Sequence, residues 1–459
     1  MPSSSASTLS AAPARPLWKT FVVFLMPMML SNVLQSLSGT VNSIILGNML
    51  GVHALGAVSV FVPLLILMIS FVIGLGSGAS VLIGQAYGAN ELGKVKAVAG
   101  TTLTVSIVMG LLIAVFGGPY TKSMLLLIGT PPDIMADAIE YTRIFLYSAP
   151  LLFIFIIYTT ITRGVGDART PLLALVIQNG FGLLLTPALI RGWGGLPQLG
   201  VASGAWATIA SFVITITWMI VYLLIKRHPL APDRELLKHL KVDPKLLWLV
   251  LKVGVPTGVQ VMMIALSEFA VMGMVNDFGS GATAAYGAVL QIISYVQQPA
   301  ISIGITASVF GSQAIGRGDN HRLAKITRTG IELQFVITGA LIVITYIFSR
   351  PILRLFITSP EVVDIAQDLV RLTLWSYLVY GLVAVISGVM RASGAVFWPT
   401  VLSIGAIWLI QVPASYLLSH RIGLDGVWIA YPIAFFAMLA LQGAYYRLVW
   451  QKQTHARLI

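Results

Sequence analysis

Cysteine is absent from the 459 residues. Disulfides, thiolate metal sites and thiol catalysis are therefore excluded. Charge is scarce as well: Asp, Glu, Lys and Arg make up 10% of the chain, against about 25% in an ordinary soluble domain. Only six histidines occur, His53, His228, His239, His321, His420 and His455. All fall in predicted loops or the tail, with no helix-spaced pair inside an apolar run, so a helix-borne metal motif is not expected. No phosphate-binding loop is present. The segment Gly74-Leu75-Gly76-Ser77-Gly78 resembles a serine motif only loosely and has no partner histidine. These absences remove an enzyme, and they remove an ATP-driven pump built from this chain alone.

Apolar residues are what the chain has in excess, at 57% without counting glycine. A soluble fold cannot hide that much apolar surface, so lipid must solvate much of it. A spanning helix needs about 20 apolar residues. The hydrocarbon admits only helices or closed barrels, and the runs here far exceed the roughly 10-residue alternating strands of a barrel. Hydropathy predicts spans near 20–46, 53–82, 97–118, 136–162, 170–190, 200–225, 247–275, 282–311, 327–349, 362–390, 397–418 and 424–449.

The net charge of +12 is not a nucleic-acid signature, because the cations sit between the apolar runs. Most fall on one side, among them Lys94, Lys96 and the loops 226–245 and 317–328. The other side has Lys122, Arg191, Arg350, Arg354 and Arg421. Positive-inside orientation places both termini in the cytoplasm, which requires an even number of spans. Residues 1–16 are rich in Ser, Ala and Pro and are expected to be a disordered tail.

The chain also repeats itself. Leu146-Tyr147-Ser148 recurs as Leu374-Trp375-Ser376, Arg163-Gly164-Val165-Gly166 as Arg391-Ala392-Ser393-Gly394, and Gln85-Ala86-Tyr87-Gly88 as Gln313-Ala314-Ile315-Gly316, all at one offset of 228 residues. Six crossings per repeat make the halves parallel, with the transport route expected between them. The expected organisation is an N-lobe at 17–225, a cytoplasmic linker at 226–246 with a short surface helix at 233–241, a C-lobe at 247–450 and a tail at 451–459.

These motifs, in this order and duplicated, resemble the multidrug and toxic compound extrusion (MATE) family. The likeness covers nearly the whole chain beyond the tail: Pro27 with Leu46-Gly47 and Leu50-Gly51 in span one, Gly84 to Ala89 closing span two, Arg163 to Pro171 closing span four, and their second-half counterparts. The resemblance implies an all-α polytopic fold of twelve helices in two six-helix lobes, related by a pseudo-two-fold axis normal to the membrane. It implies export of organic, often cationic, molecules against protons or sodium, with no cofactor. The expected partners are a small-molecule substrate and membrane lipids. The expected form is a monomer in a cytoplasmic (inner) cell membrane. A lipid or polyprenyl-linked sugar flippase of related architecture is the alternative, recognisable by an Arg or Lys in the cavity.

Where the family carries coupling acids, this chain has Asn42, Thr186, Ala265 and Tyr380. One acid remains deep in a span, Glu268, a turn beyond Ala265. An ionisable group at that depth is costly and by default functional, so Glu268 is the candidate proton-coupling residue, and protons suit a single carboxylate better than sodium. Asn32, Gln35, Asn42, Gln178, Asn179, Gln260, Gln291 and Tyr380 are the candidate cavity-lining residues; any one of them could equally bond helices together. Pro27 and Pro256 are expected to bend spans one and seven. The pairs Gly74/Gly78, Gly84/Gly88 and Gly254/Gly258 are expected to let helices approach closely.

Overall fold

The computed structural model describes residues 16–459; the expected N-terminal tail lies, up to residue 15, outside the described residues. Among the described residues every element is helical. In chain order the spans are Leu17–Leu50, His53–Gly88, Leu92–Leu127, Met135–Gly164, Arg169–Arg191, Ala202–Ile225, Pro244–Asn276, Ser280–Gly316, His321–Ile347, Pro360–Ala392, Phe397–Ile422 and Leu424–Lys452, here spans one to twelve. Eleven are long and apolar enough to cross a membrane singly. Span four does so as a pair, Met135–Tyr147 and Ala149–Gly164, bent by 52°.

The bend has a local cause. Pro150 opens the second segment and has no N–H to return to the preceding turn. Gly110 of span three fits against the break, since a Cβ there would lie 2.5 Å from the Pro150 Cα. Pro27 and Pro256, by contrast, lie inside single continuous helices. At Pro27 the Ser31 hydroxyl donates to the proline carbonyl (2.8 Å); the acceptor left without its helical donor is the Val23 carbonyl one turn earlier, because proline has no N–H.

Several helices outrun their apolar stretches. Span eight, expected at 282–311, runs Ser280–Gly316, because its last turn continues the backbone ladder after the hydrophobic pattern stops.

Lys96, sorted with the loop cations, is a buried helical residue. It lies in the second turn of span three, and its side chain is only 9% exposed. Its ammonium meets Asp233 and Glu235, each at 2.6 Å. Those acids come from the linker, whose helix is the short Arg234–Lys238, capped by Asp233 accepting from the Leu236 amide (2.9 Å). The linker is thereby clamped to the first half rather than loose at the surface.

The repeat is visible in the packing. Gln85 of span two donates through Nε2 to the Ala392 carbonyl at the end of span ten (2.8 Å). Gln313 of span eight donates through Nε2 to the Gly164 carbonyl at the end of span four (3.1 Å). Donors and acceptors both stand 228 residues apart, so one bond is the other carried across the pseudo-two-fold axis.

Candidate functional site

Small residues bring the halves into backbone contact at the end that bears both termini. Cβ atoms built on Gly88 and Gly316 would lie 2.2 Å from the Gln313 carbonyl oxygen and 2.1 Å from that of Gln85. Further in, Gly74 and Gly78 of span two meet Gly254, Gly258 and Val250 of span seven. Span one seals the other flank, where the rings of Phe21 and Phe24 stand 5.2 and 5.4 Å from Phe310 of span eight.

The seal stops about halfway along span one. There Asn32 donates through Nδ2 to the Ser302 hydroxyl of span eight (2.8 Å). Among the described residues, every other side-chain hydrogen bond between the halves lies on the terminus side of this one. Beyond it, span one presents Asn32, Gln35, Gly39 and Asn42 at spacings of three, four and three, a single helical face. Span eight presents Ser302, Gln298, Tyr295 and Gln291 at spacings of four, three and four, likewise one face. The two stripes start at a shared bond and run away from the termini. Gln35 is exposed, Asn42, Gln291, Tyr295 and Gln298 are half-buried, and a Cβ on Gly39 would meet no atom within 4 Å. Two polar faces that start at one bond are suited to be the walls of a cleft with Asn32–Ser302 at its floor.

Gln178, Asn179 and Gln260 are half-buried on spans five and seven. The Asn179 amide nitrogen is enclosed and has no partner among the described residues. Thr186 is buried, its hydroxyl donating to the Gly182 carbonyl (2.8 Å), so this residue bonds its own helix.

Glu268 sits in the second half. It is exposed by surface area, yet its carboxylate is within electrostatic reach of the hydroxyls of Tyr286, Tyr377, Tyr380 and Tyr431. The four tyrosines form one connected cluster with Phe435 beside it. Tyr286 and Tyr431 join hydroxyl to hydroxyl at 2.8 Å, Tyr286 stacks on Trp428 at 5.3 Å, and Phe435 packs against Tyr377 and Tyr380, both at 5.2 Å. Of this cluster only Tyr380 was picked out from the sequence. The available signal was the set of tyrosines in apolar spans eight, ten and twelve, each needing a hydroxyl partner.

Arg163 and Arg391 stand in the last turns of spans four and ten. The Nε of each is enclosed and unpartnered among the described residues, and Arg391 is within electrostatic reach of Tyr380. Long side chains on a helix lean towards its N-terminus, which here directs both guanidinium groups into the lobes.

Comparison with known proteins bears on what this arrangement is. The MatE family model matches twice, over residues 27–188 and 256–417. The probable multidrug resistance protein YoeA of Bacillus subtilis is 46% identical over 444 residues, 96% of each chain. The multidrug export protein MepA of Staphylococcus haemolyticus is 24% identical over 90% of this chain and 89% of its own. Among solved structures, a MOP superfamily transporter from Pyrococcus furiosus superposes with a TM-score of 0.87 at 24% identity, covering 95% of this chain and 97% of that one.

Proposed function

From the premise that this chain belongs to the MATE family, we propose that it is a secondary active exporter of small organic molecules, working by alternating access and coupled to protons. The observation that supports this is the pair of polar stripes on spans one and eight, which share the Asn32–Ser302 bond as a floor and lie between two parallel halves. Residues 17–225 and 247–450 act as the two moving bodies, and the linker at 226–246 follows the first. With both termini in the cytoplasm, the conformation is outward-facing.

The test is dye accumulation in a drug-sensitive host, beside a lipid-flipping assay on the purified protein. Efflux of the dye is expected. Flipping without any solute efflux would overturn the exporter reading in favour of the flippase.

Coupling is assigned to Glu268. A sodium ion needs several oxygens around a compact centre, whereas a proton needs one carboxylate whose charge can be taken up and released. The hydroxyls of Tyr286, Tyr377, Tyr380 and Tyr431 lie within electrostatic reach of that carboxylate. Glu268→Gln keeps size and hydrogen bonding but cannot titrate. In proteoliposomes it should fold normally and lose pH-driven export. Unchanged pH-driven export would remove Glu268 from the mechanism, and a strict sodium requirement in the wild type would remove the proton.

A further inference from the structure

Chain tails with few apolar residues usually stay in solvent unless something ties them down. Here residues 453–459 lie across the end of the seam between the halves. Two anchors belong to the second half. The His455 ring stacks on Trp450 at 4.0 Å, and Asn320 donates through Nδ2 to the His455 carbonyl (3.2 Å). The next contacts cross over. Arg457 pairs with Glu91 at 3.0 Å, just beyond span two. The Leu458 amide donates to the Gln85 Oε1 (2.8 Å). The Leu458 side chain packs with Val81 of the first half and Val253 and Val396 of the second, and Ile459 joins the first-half core.

Gln85 holds the tail and the seam together. It is fully buried, and its amide makes both available seam contacts, Nε2 to Ala392 and Oε1 from Leu458. Its counterpart Gln313 bonds Gly164 and, among the described residues, meets no such tail. The tail therefore breaks the pseudo-symmetry on one side and occupies the site where the halves would part. We propose that residues 455–458 are a latch: they hold the halves together at the terminus end, and the latch must release before the cargo route can open there. This extends the alternating-access reading above, which supplies the need for an opening at that end.

The cysteine-free chain allows a direct test. Ser312 is fully buried at the seam, where it meets Gly84, so Ser312→Cys places one near-isosteric thiol between the halves. In full-length protein in nanodiscs, adding Leu458→Asp to Ser312→Cys should raise the rate of maleimide labelling several-fold, because a charge in the Val81–Val253–Val396 pocket expels the latch. Adding Arg457→Ala instead should raise it less, since only the exposed ion pair is lost. An unchanged rate in the monodisperse Leu458→Asp protein overturns the latch, as does a larger effect from Arg457→Ala than from Leu458→Asp. This readout needs no cargo, so failure of dye efflux alone would count against the exporter reading and not against the latch.

Discussion

Asp167 shows what one residue does at the edge of the membrane. It follows Gly166, whose φ of 91° reverses the chain after span four. Its Oδ1 accepts from the amides of Arg169 (2.9 Å) and Thr170 (3.1 Å), and its Oδ2 accepts from the Thr170 hydroxyl. His228 of the linker stands 3.4 Å away. Burial pushes this carboxyl up, but the hydrogen bonds from His228 and Thr170 outweigh it and pull it down to about 2. A depressed acid stabilises the fold fully above its unfolded value near 3.9. That contribution fades as pH falls through about 2. Asp167→Ala removes the acceptor that opens span five and should cost about 1 kcal/mol, the usual size of a lost helix cap. It should also flatten the acid limb of stability between about pH 4 and pH 2. Thermal unfolding in detergent across that range checks both; an unaltered acid limb would mean that the charge of Asp167 is not what stabilises the turn. The turn rests on Gly166, whose positive φ suits glycine, and on Pro171 in the first turn of span five. The partner His228, 61 residues on, was not legible in the sequence, because only the docking of the linker brings it near. Lys96 was missed for the same reason: its acids come from a segment that looks like an ordinary surface loop.

At the scale of elements, hydropathy locates all twelve spans, since each is an apolar run bounded by charged or glycine-rich turns. It does not locate their contacts. The small-residue pairs pointed to close approach, but their partners follow from which spans the pseudo-two-fold axis brings together. Gly88 and Gly316 stand at equivalent places, each against a backbone carbonyl across the seam, so neighbouring side chains cannot yield to an added methyl group. Gly88→Ala and Gly316→Ala should each destabilise the protein by about 1–3 kcal/mol, as overpacking does, and to a similar extent. Gly39→Ala is the contrast. It faces the cleft with no atom within 4 Å and should be neutral or gain up to about 1 kcal/mol from helix propensity. Melting temperatures of the three variants decide the matter. A harmless Gly88→Ala beside a harmful Gly39→Ala would reverse the assignment of seam and cleft.

The whole molecule adds a direction. Span one carries its polar residues on one face in the sequence, and that face is the proposed cleft wall. Span eight holds a matching stripe of which only Gln291 was singled out as a leading candidate, because its glutamines look like any polar residues that bond helices together. What the sequence lacked was the bond that ties the stripes together: Asn32 and Ser302 are 270 residues apart. With that bond as the floor, the proposed cleft is closed at the terminus end and opens at the other. With both termini in the cytoplasm, as positive-inside orientation leads one to expect, the open end of the proposed cleft faces outside. Two facts permit a direct test, the absence of native cysteine and the difference in burial between the two levels. Asn42→Cys and Gln291→Cys lie on opposite walls beyond the floor and are half-buried, whereas Ser312→Cys lies below it, where the native serine is fully buried. In intact cells a membrane-impermeant thiol reagent should modify the first two within minutes and spare the third. Saturating a transported dye should slow the reaction at Asn42→Cys and Gln291→Cys together, because one cargo between the walls covers both. Modification of Ser312→Cys from outside with Asn42→Cys spared would place the opening at the wrong end of the molecule. Protection of only one wall would show that the stripes do not bound a common site.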